Sequence, residues 1–227
     1  MTARALAAQN HILEGVEPAV VSELLAPARH GTYRPGEIII GPADPGFGLL
    51  FVFSGSVKVF FESADGQQVM TKLVAGPGVV ACAPGSDGAQ LVTALSTAEV
   101  LVVRREPFFA ALERSHRLTL NVLQIAGREL GEAGRRIRSF AFQSVEERLA
   151  ELLLSFASQY GRPMADGVRI DLPLTQEELA DMLGAARRSV TRSFQRWTRA
   201  GALRKRDGRF IVNEQRLRAR RALDRAA

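Results

Sequence analysis

Residues 174–184 read LTQEELADMLG and contain the start and stop signals of one short helix. Thr175 and Glu178 have the spacing of a capping box, in which each side chain binds the other residue's backbone N–H group. Apolar residues follow on one face, and Gly184 is the residue type that most often ends a helix in the left-handed conformation. The run therefore predicts a short helix that is capped at both ends.

A second, basic helix follows directly. It is predicted from Arg187 to Ala200 because apolar residues recur at i, i+4 and i+7. These residues are Val190, Phe194 and Trp197. Two short helices joined through a glycine, the second of them strongly basic, predict a helix-turn-helix.

The residues after the second helix predict a wing and a last helix. Residues 203–206 and 209–212 are short strand candidates on either side of Asp207-Gly208, which is a hairpin turn signal. Asn213 is a good N-cap for a basic helix that runs to about Arg225. The helix-turn-helix and this hairpin together predict a winged helix.

The residues before the helix-turn-helix predict one helix and one strand. Ser144 and Glu147 form another capping box and begin a helix that should end near Tyr160-Gly161. Residues 168–172 are predicted to form a short strand bounded by Gly167 and Pro173. These elements complete the C-terminal domain.

The positive charge of the chain is concentrated at this end. Residues 187–227 contain 14 Lys or Arg and three acidic residues, whereas residues 1–138 contain 13 of each sign. Such a local excess favours a polyanionic partner. The alternative is a solvated basic tail with no specific partner.

The region from Thr32 to Arg105 predicts β structure. Short runs rich in Val, Ile and Phe alternate with turn signals about every 8 to 12 residues, the pattern of an antiparallel sandwich or barrel. The turn signals are Pro35-Gly36, Pro45-Gly46, Ser54-Gly55, Asp65-Gly66 and Gly76-Pro77-Gly78. Residues 49–53, 57–61 and 67–73 are predicted to follow one another as hairpins in a meander.

Helices are predicted on both sides of this region. Residues 11–26 are predicted to form one or two short helices, with Pro18 at a helix start, and Phe108, Phe109 and Leu112 indicate another short helix. Beyond it, mostly apolar residues recur at alternating spacings of four and three residues, as in a two-stranded coiled coil. They are Thr119, Leu123, Ala126, Leu130, Ala133, Ile137 and Phe140. We expect a dimer seam, and the alternative is an amphipathic helix packed on its own sheet.

The second helix of the helix-turn-helix is the predicted DNA reader, because its polar face carries long hydrogen-bond donors. The candidates for base reading are Arg187, Arg188, Thr191 and Arg192. The candidates for phosphate contact are Thr175, Gln176, Ser189, Lys205, Arg206 and Arg209. For Arg192, the alternative is an intramolecular ion pair.

With these motifs in place, residues 10 to 213 resemble the Crp/Fnr family of bacterial transcription regulators. The most specific stretch is residues 174–184, followed by Arg187, Val190, Arg192 and Gly201-Ala202-Leu203. The resemblance implies an α+β chain with an N-terminal antiparallel β roll of the jelly-roll (double-stranded β-helix) type. It assigns residues 1–115 to an effector-sensing, cyclic-nucleotide-binding-like roll, 116–140 to a dimerisation helix and 141–227 to a winged helix-turn-helix. The implied partners are double-stranded DNA, a second copy of the chain, RNA polymerase and an unknown small-molecule effector.

The sequence departs from the family pattern in the sensing domain. Family members that bind cyclic AMP have a Gly-Glu-Leu segment for the ribose and an Arg-Ser or Arg-Thr pair for the phosphate. Residues 78–90 contain no Glu and no Arg, and a buried cyclic phosphate without a cation would lack its charge-assisted partner. We therefore expect that cyclic AMP is not the effector, and that the domain senses something other than a cyclic nucleotide, or nothing. A haem group held by Cys82 or a histidine stays open, although a single Cys in an apolar stretch is more often simply buried.

The predicted reading helix departs as well. The family commonly has Glu next to its first Arg, and here that position is Arg188, which cannot accept a hydrogen bond. The usual Ser or Thr at the helix start is Ala186, so both a cap and a phosphate-binding hydroxyl are missing. We expect a half-site that differs from the usual family sequence.

Composition and motifs weigh against several other classes of protein. No apolar run approaches the length of a membrane span and no export signal precedes the first helix, so we expect a cytoplasmic protein. A single Cys and three scattered His give no metal-ligand spacing, and we predict no metal and no cofactor. No catalytic constellation can be assembled, which argues against an enzyme. The alternative function is a ligand-binding or interaction module whose basic tail binds nucleic acid or membrane nonspecifically.

Overall fold

The computed structural model describes residues 7, 10–41, 44, 47–62, 68–81 and 91–224, without the side chains of residues 68 and 220–224. The chain divides into two compact units, Met1–Ala133 and Gly134–Ala227. Each unit has its own secondary structure. The turn signals predicted at residues 45–46 and 65–66 lie outside the described residues, and so does Cys82.

The first unit opens with helical turns and continues as β structure. A 3₁₀ turn spans His11–Leu13, and helix α1 spans Pro18–Leu25 with Pro18 at its first position, as predicted. The described strands are β1 Arg29–Tyr33, β2 Ile38–Ile40, β3 Phe47–Ser54, β4 Ser56–Glu62, β5 Gln68–Ala75, β6 Gly78–Ala81, β7 Leu91–Ala94 and β8 Ala98–Arg104. Helix α2, Arg105–Arg114, follows and includes the predicted residues Phe108 and Leu112.

These strands form two antiparallel four-stranded sheets, in the orders β1-β8-β3-β6 and β2-β7-β4-β5. Strand β3 is apolar along nearly its whole length because both of its faces are buried. Leu50 and Val52 lie in the core that includes both sheets, while Leu49 and Phe51 lie in the core that includes the helices. Helices, one sheet and the second sheet thus form three layers, which agrees with the predicted β roll.

The predicted meander is wrong at its first turn. Strand β3 pairs with β6 and β8, whereas β4 pairs with β5 and β7 in the other sheet. The chain changes sheets at Gly55, which has a φ of +75°, and a Cβ atom there would lie 2.0 Å from the carbonyl oxygen of Thr97. Only glycine fits such a close backbone approach, so Gly55 marks a corner between sheets and not a hairpin. The predicted pairing of β4 with β5 is confirmed.

Helix α3 spans His116–Phe142, slightly beyond the predicted residue 140. Its first half packs on the first unit through Leu118, Val122 and Ile125, which are buried. The buried Asn121 side chain donates to the carbonyl oxygens of Ile12 and Glu14 at 2.9 and 3.0 Å. The boundary between the two units falls inside this helix.

The second unit has the elements of a winged helix, all of them predicted except strand β9. They are α4 Val145–Tyr160, β9 Gly161–Met164, β10 Gly167–Ile170, α5 Gln176–Leu183, α6 Arg187–Arg199, β11 Leu203–Arg206, β12 Arg209–Val212 and α7 Glu214–Asp224. The strands form one antiparallel sheet in the order β11-β12-β10-β9. Strand β9 was not predicted, because GRPM has neither apolar alternation nor β-branched residues.

Candidate nucleic-acid interface

Helix α5 is capped at both ends by its own residues. The Thr175 hydroxyl accepts from the Glu178 backbone N–H at 3.1 Å and donates to the Glu178 carboxylate at 2.9 Å. The same carboxylate accepts from the Thr175 backbone N–H at 2.8 Å, which completes the predicted capping box. Gly184 closes the other end in the left-handed conformation, with a φ of +56°. The hydroxyl proton of Thr175 is therefore engaged within the helix.

Helix α6 begins without such a cap. Its N-cap residue is Ala186, whose side chain has no hydrogen-bonding atom, as the sequence predicts. Arg187 and Arg188 follow at the end of the helix where the dipole is positive, an unfavourable place for cations. The N-terminus of α6 is thus electrostatically suited to an anionic partner.

The opposite face of α6 is anchored in the second unit. Val190, Phe194 and Trp197 are buried, as predicted for the apolar stripe. The Phe194 ring packs edge-to-face against Phe210 of β12, with centroids 5.0 Å apart. This packing fixes which residues of the helix point outward.

The three candidate arginines differ in their surroundings. Arg187 lies 3.8 Å from Glu177, and both side chains are well exposed. Arg188 and Arg192 are also exposed, and within the described part of the chain neither has an ion-pair or hydrogen-bond partner. The intramolecular alternative considered for Arg192 therefore applies better to Arg187.

Thr191 and Gln176 contact each other directly. The Thr191 hydroxyl donates to the Oε1 atom of Gln176 at 2.7 Å, so a predicted base reader on α6 is joined to a predicted phosphate contact on α5. Both side chains are partly buried. The residues are 15 positions apart in sequence, and no local pattern signals this bond.

The remaining phosphate candidates lie at the start of α6 and on the wing. Ser189 is half-buried, and its carbonyl oxygen accepts from the Ser193 hydroxyl at 3.2 Å. Lys205 places its ammonium 5.3 Å from the Phe210 ring centroid, and Arg206 lies 3.7 Å from Asp207. Arg209 is half-buried. On the β11–β12 hairpin, Lys205 and Arg206 are thus exposed cations with only long contacts, whereas Arg204 is ion-paired with Asp166.

A cluster that the sequence analysis missed joins the end of α3 to α4. The guanidinium of Arg148 stacks 4.4 Å from the Phe140 ring centroid, and burial lowers the pKa of Arg148 below its usual value. Its Nε and Nη1 atoms are buried, and among the described residues they have no hydrogen-bond partner. Phe140 also lies close to Gly184 at the end of α5. Phe140 therefore contacts residues of its own chain.

The other predicted seam residues lie along α3. Leu123, Leu130 and Ile137 are 60%, 76% and 70% exposed, and Ala126 and Ala133 are exposed too. Thr119 is half-buried, and its hydroxyl donates to the carbonyl oxygens of Leu112 and Ser115. The seam is therefore open from Leu123 to Phe140, since Phe140 is still 51% exposed beside Arg148, and only the Thr119 end is engaged by the protein's own contacts.

The predicted sensing segment can be followed only in part. Residues 82–90, on which the argument about cyclic AMP rests, lie outside the described residues. Among the residues that are described, no group of three or more His, Cys, Asp or Glu is placed to hold a metal ion. In the same part of the chain, no helix is both long and apolar enough to cross a membrane.

Two domain families match the sequence where the structure has its two units. The cyclic nucleotide-binding domain matches residues 31–115, and the Crp-like helix-turn-helix domain matches residues 147–220. The chain belongs to the Crp/Fnr family. It is accordingly a DNA-binding transcription regulator with a cyclic-nucleotide-binding-like sensory domain. The predicted family and fold class are confirmed.

Relatives cover nearly the whole Crp/Fnr chain. A CRP-like cAMP-activated global transcriptional regulator of Mycobacterium tuberculosis is 23% identical over 215 residues, or 93% of this chain and 96% of the relative. A global nitrogen regulator of Synechocystis is 29% identical over 189 residues, or 81% and 84% of the two chains. The solved structure of FixK2 from Bradyrhizobium japonicum has the same fold, with a TM-score of 0.72 at 21% identity over 85% of this chain and 96% of that one.

Proposed function

We propose that this Crp/Fnr regulator acts as a homodimer on an inverted-repeat DNA site, and that its sensory domain responds to a signal other than cyclic AMP. The observation that carries the proposal is the row of exposed apolar side chains on α3. A second copy of the chain, a small-molecule effector and RNA polymerase are the partners we propose besides DNA.

The dimer is argued from the two faces of α3. Leu118, Val122 and Ile125 pack inside the first unit, so that unit already fills one face of the helix. Leu123, Leu130 and Ile137 recur every seven residues on another face and are largely exposed, which argues against the alternative that they pack on the protein's own sheet. A row at this spacing is the seam of a two-stranded coiled coil. Regulators of this family function as dimers.

Two glycines favour a close approach of the partner helix. Apart from the adjacent backbone of α3 itself, a Cβ atom built at Gly127 or Gly134 would have no described atom within 4 Å. These positions follow Leu123 and Leu130 by four residues, so they lie beside the apolar row. Each glycine costs the helix about 1 kcal/mol relative to Ala. Closer helix packing in the dimer would offset that cost.

A two-fold dimer presents two copies of α6 to DNA. Successive major grooves on one face of B-DNA lie about 34 Å apart, so the target is an inverted repeat with half-site centres about one helical turn apart. Arg187 and Arg192 are the proposed guanine readers, because a guanidinium can bind guanine O6 and N7 together. Arg188 and Thr191 complete the base-reading set. The phosphate contacts come from the first turns of α5 and α6 and from the wing.

The sensory domain is proposed to have lost cyclic AMP recognition. Residues 78–90 contain neither the Glu that binds the ribose nor the Arg that binds the cyclic phosphate in family members that bind cyclic AMP. The relatives do not fix one signal, since one is named as cAMP-activated and another as a nitrogen regulator. Haem, with Cys82 or a histidine as its ligand, is the cofactor to look for as a chromophore in the purified protein.

The dimer is tested by breaking the exposed row. Leu130→Asp places a charge at the most exposed position of the seam, and we expect monomers in light scattering together with loss of inverted-repeat binding. Val69→Asp is the matched control, because Val69 is also exposed but lies on β5. A Leu130→Asp protein that stays dimeric would show that the seam lies elsewhere.

The effector proposal has its own test. Cyclic AMP at millimolar concentration should change neither the melting temperature nor the affinity for the inverted repeat. A saturable rise of the melting temperature would contradict the proposal, because a ligand that binds only the folded state must stabilise it.

A further inference from the structure

The bond between Thr191 and Gln176 determines how Thr191 can read a base. Gln176 is the first residue of α5 and Thr191 the fifth of α6, and the bond spans the two helices of the reading motif. Arg187 and Arg188 precede Thr191 by four and three residues, the spacings that place residues on one face of a helix. Thr191 therefore belongs to the face that the proposed function turns toward DNA.

The direction of this bond fixes the hydrogen-bonding role of the hydroxyl. A threonine hydroxyl has one proton and two acceptor lone pairs. Its proton is donated to the Oε1 atom of Gln176, which can only accept. With the proton engaged, the oxygen of Thr191 can offer only an acceptor to a third group.

Only two bases present a hydrogen-bond donor in the major groove. Adenine does so through its N6 amino group and cytosine through its N4 amino group, whereas guanine and thymine present acceptors at O6 and O4. We propose that Gln176 sets Thr191 as an obligate acceptor, so that Thr191 selects a base with an exocyclic amino group at one position of each half-site. Guanine and thymine are disfavoured there because two acceptors would face each other.

Gln176 has a second role in this arrangement. Its amide nitrogen carries two N–H donors, while its oxygen is held by Thr191. The residue is the first of α5, where backbone N–H groups and the helix dipole attract a phosphate. Its N–H groups therefore donate to the DNA backbone, and Gln176 acts as a positioning residue that couples backbone docking to base choice.

The inference rests on the proposed function, and a site selection from randomised DNA separates the two. Wild-type protein should enrich an inverted repeat in which one position per half-site favours adenine or cytosine by about tenfold, the scale of one net hydrogen bond. If no inverted repeat is enriched, the proposed function fails. If the repeat is enriched but guanine or thymine is accepted equally at every position that depends on Thr191, this inference alone fails.

Substitutions of Thr191 isolate the hydroxyl. Thr191→Val keeps the shape and removes the oxygen, so the preference should fall to within about twofold of parity. Thr191→Ser keeps the hydroxyl and should retain the preference. An unchanged preference in Thr191→Val would mean that the methyl group, and not the oxygen, faces the base.

Substitutions of Gln176 separate its effect on the acceptor role of Thr191 from its effect on overall DNA affinity. Gln176→Glu keeps an acceptor for the hydroxyl proton, so base preference should persist while the affinity for every sequence falls, because a carboxylate replaces a donor beside phosphate. Gln176→Leu releases the proton and should admit guanine and thymine at that position. If Gln176→Leu leaves the preference unchanged, Gln176 does not set the role of Thr191. Gln215→Leu, at an exposed glutamine on α7, is the matched control, and the melting temperatures confirm that each variant is folded.

Discussion

Helices α5 and α6 are consecutive helices of the same helix-turn-helix, yet their N-termini differ in how they are capped. In α5, the capping box satisfies the backbone N–H groups of Thr175 and Glu178, and Gly184 closes the C-terminus. In α6, Ala186 provides no cap, and Arg187 and Arg188 occupy the positive end of the dipole. Helix α5 is therefore stabilised by caps within its own sequence. Helix α6 lacks an N-cap and has two cations in its first turn, and both features destabilise a helix.

The difference identifies which helix is built for a partner. Residues that break a local stability rule without compensation inside the chain are expected at functional sites. A phosphate or base edge at the N-terminus of α6 would supply the acceptors that Ala186 and the two arginines lack. In the free protein, two residues of α5 provide part of these acceptors. Glu177 lies beside Arg187, and Gln176 accepts the hydroxyl proton of Thr191.

The largest expected effect comes from removing Arg192 of α6, which has no ion-pair partner in the part of the chain that the structure describes. Arg192→Ala should relax preference at one base pair per half-site by about 1 to 3 kcal/mol, the value of a bidentate arginine–guanine contact. Arg187→Ala should cost less, because Arg187 must first leave Glu177. Arg199→Ala, at the far end of the helix, is the control, and competition binding with single-base variants is the measurement. An Arg192→Ala protein with unaltered preferences would place Arg192 away from the bases.

How far the sequence predicts this molecule depends on how local each feature is. The capping boxes at Ser144 and Thr175, the Gly184 terminus and the Asn213 cap were all foreseen, because each is determined within four residues. The β3–β4 connection was predicted wrongly, since Gly55 packs on the backbone of Thr97, more than 40 residues away. Sheet membership depends on such distant contacts and leaves no local pattern.

The same limit applies to the candidate site. The exposed and buried faces of α6 follow from its helical period, so Val190 and Trp197 were placed correctly. The bonds from α5 to Thr191 and Arg187 were not foreseen, because they depend on how two helices pack. That Arg187, and neither Arg188 nor Arg192, has an ion-pair partner among the described residues is therefore a result of the structure alone.

The cap of α5 gives the next largest effect. Thr175→Ala should lower the free energy of unfolding of the second unit by about 1 kcal/mol, the usual cost of a lost N-cap. Trp197 is the only tryptophan in the chain and is buried in this unit, so urea unfolding followed by its fluorescence reports the change. Thr198→Ala removes the same groups from an exposed position and should change the stability little. Equal losses in the two variants would mean that the cap contributes nothing.

Adding the missing N-cap of α6 should increase the stability of the second unit by a similar or smaller amount. Ala186→Ser should raise the free energy of unfolding by about 0.5 to 1 kcal/mol, since Ala186 already has the extended backbone of an N-cap. The same fluorescence measurement detects it. The new hydroxyl should also strengthen binding to all DNA sequences alike, because it can donate to a phosphate. A loss of stability would show that the start of α6 is held by something other than a cap.

The smallest effect concerns the contact between Glu177 and Arg187. Glu177→Gln removes the carboxylate that competes with DNA for Arg187, so affinity for the inverted repeat should rise. An exposed ion pair of this kind contributes about 0.2 to 1 kcal/mol, so the rise should be between slight and about fivefold. Because salt screens exposed charges, the gain should shrink between low and physiological ionic strength.

A double-mutant cycle shows whether the gain acts through Arg187. Glu177→Gln also removes a negative charge near the DNA backbone, which by itself favours binding. In an Arg187→Ala background this general effect remains, whereas the release of Arg187 does not, so the gain should be smaller than in the wild-type background. Equal gains in both backgrounds would mean that Glu177 acts only as a charge. The ion pair between Glu177 and Arg187 would then not affect how Arg187 binds DNA.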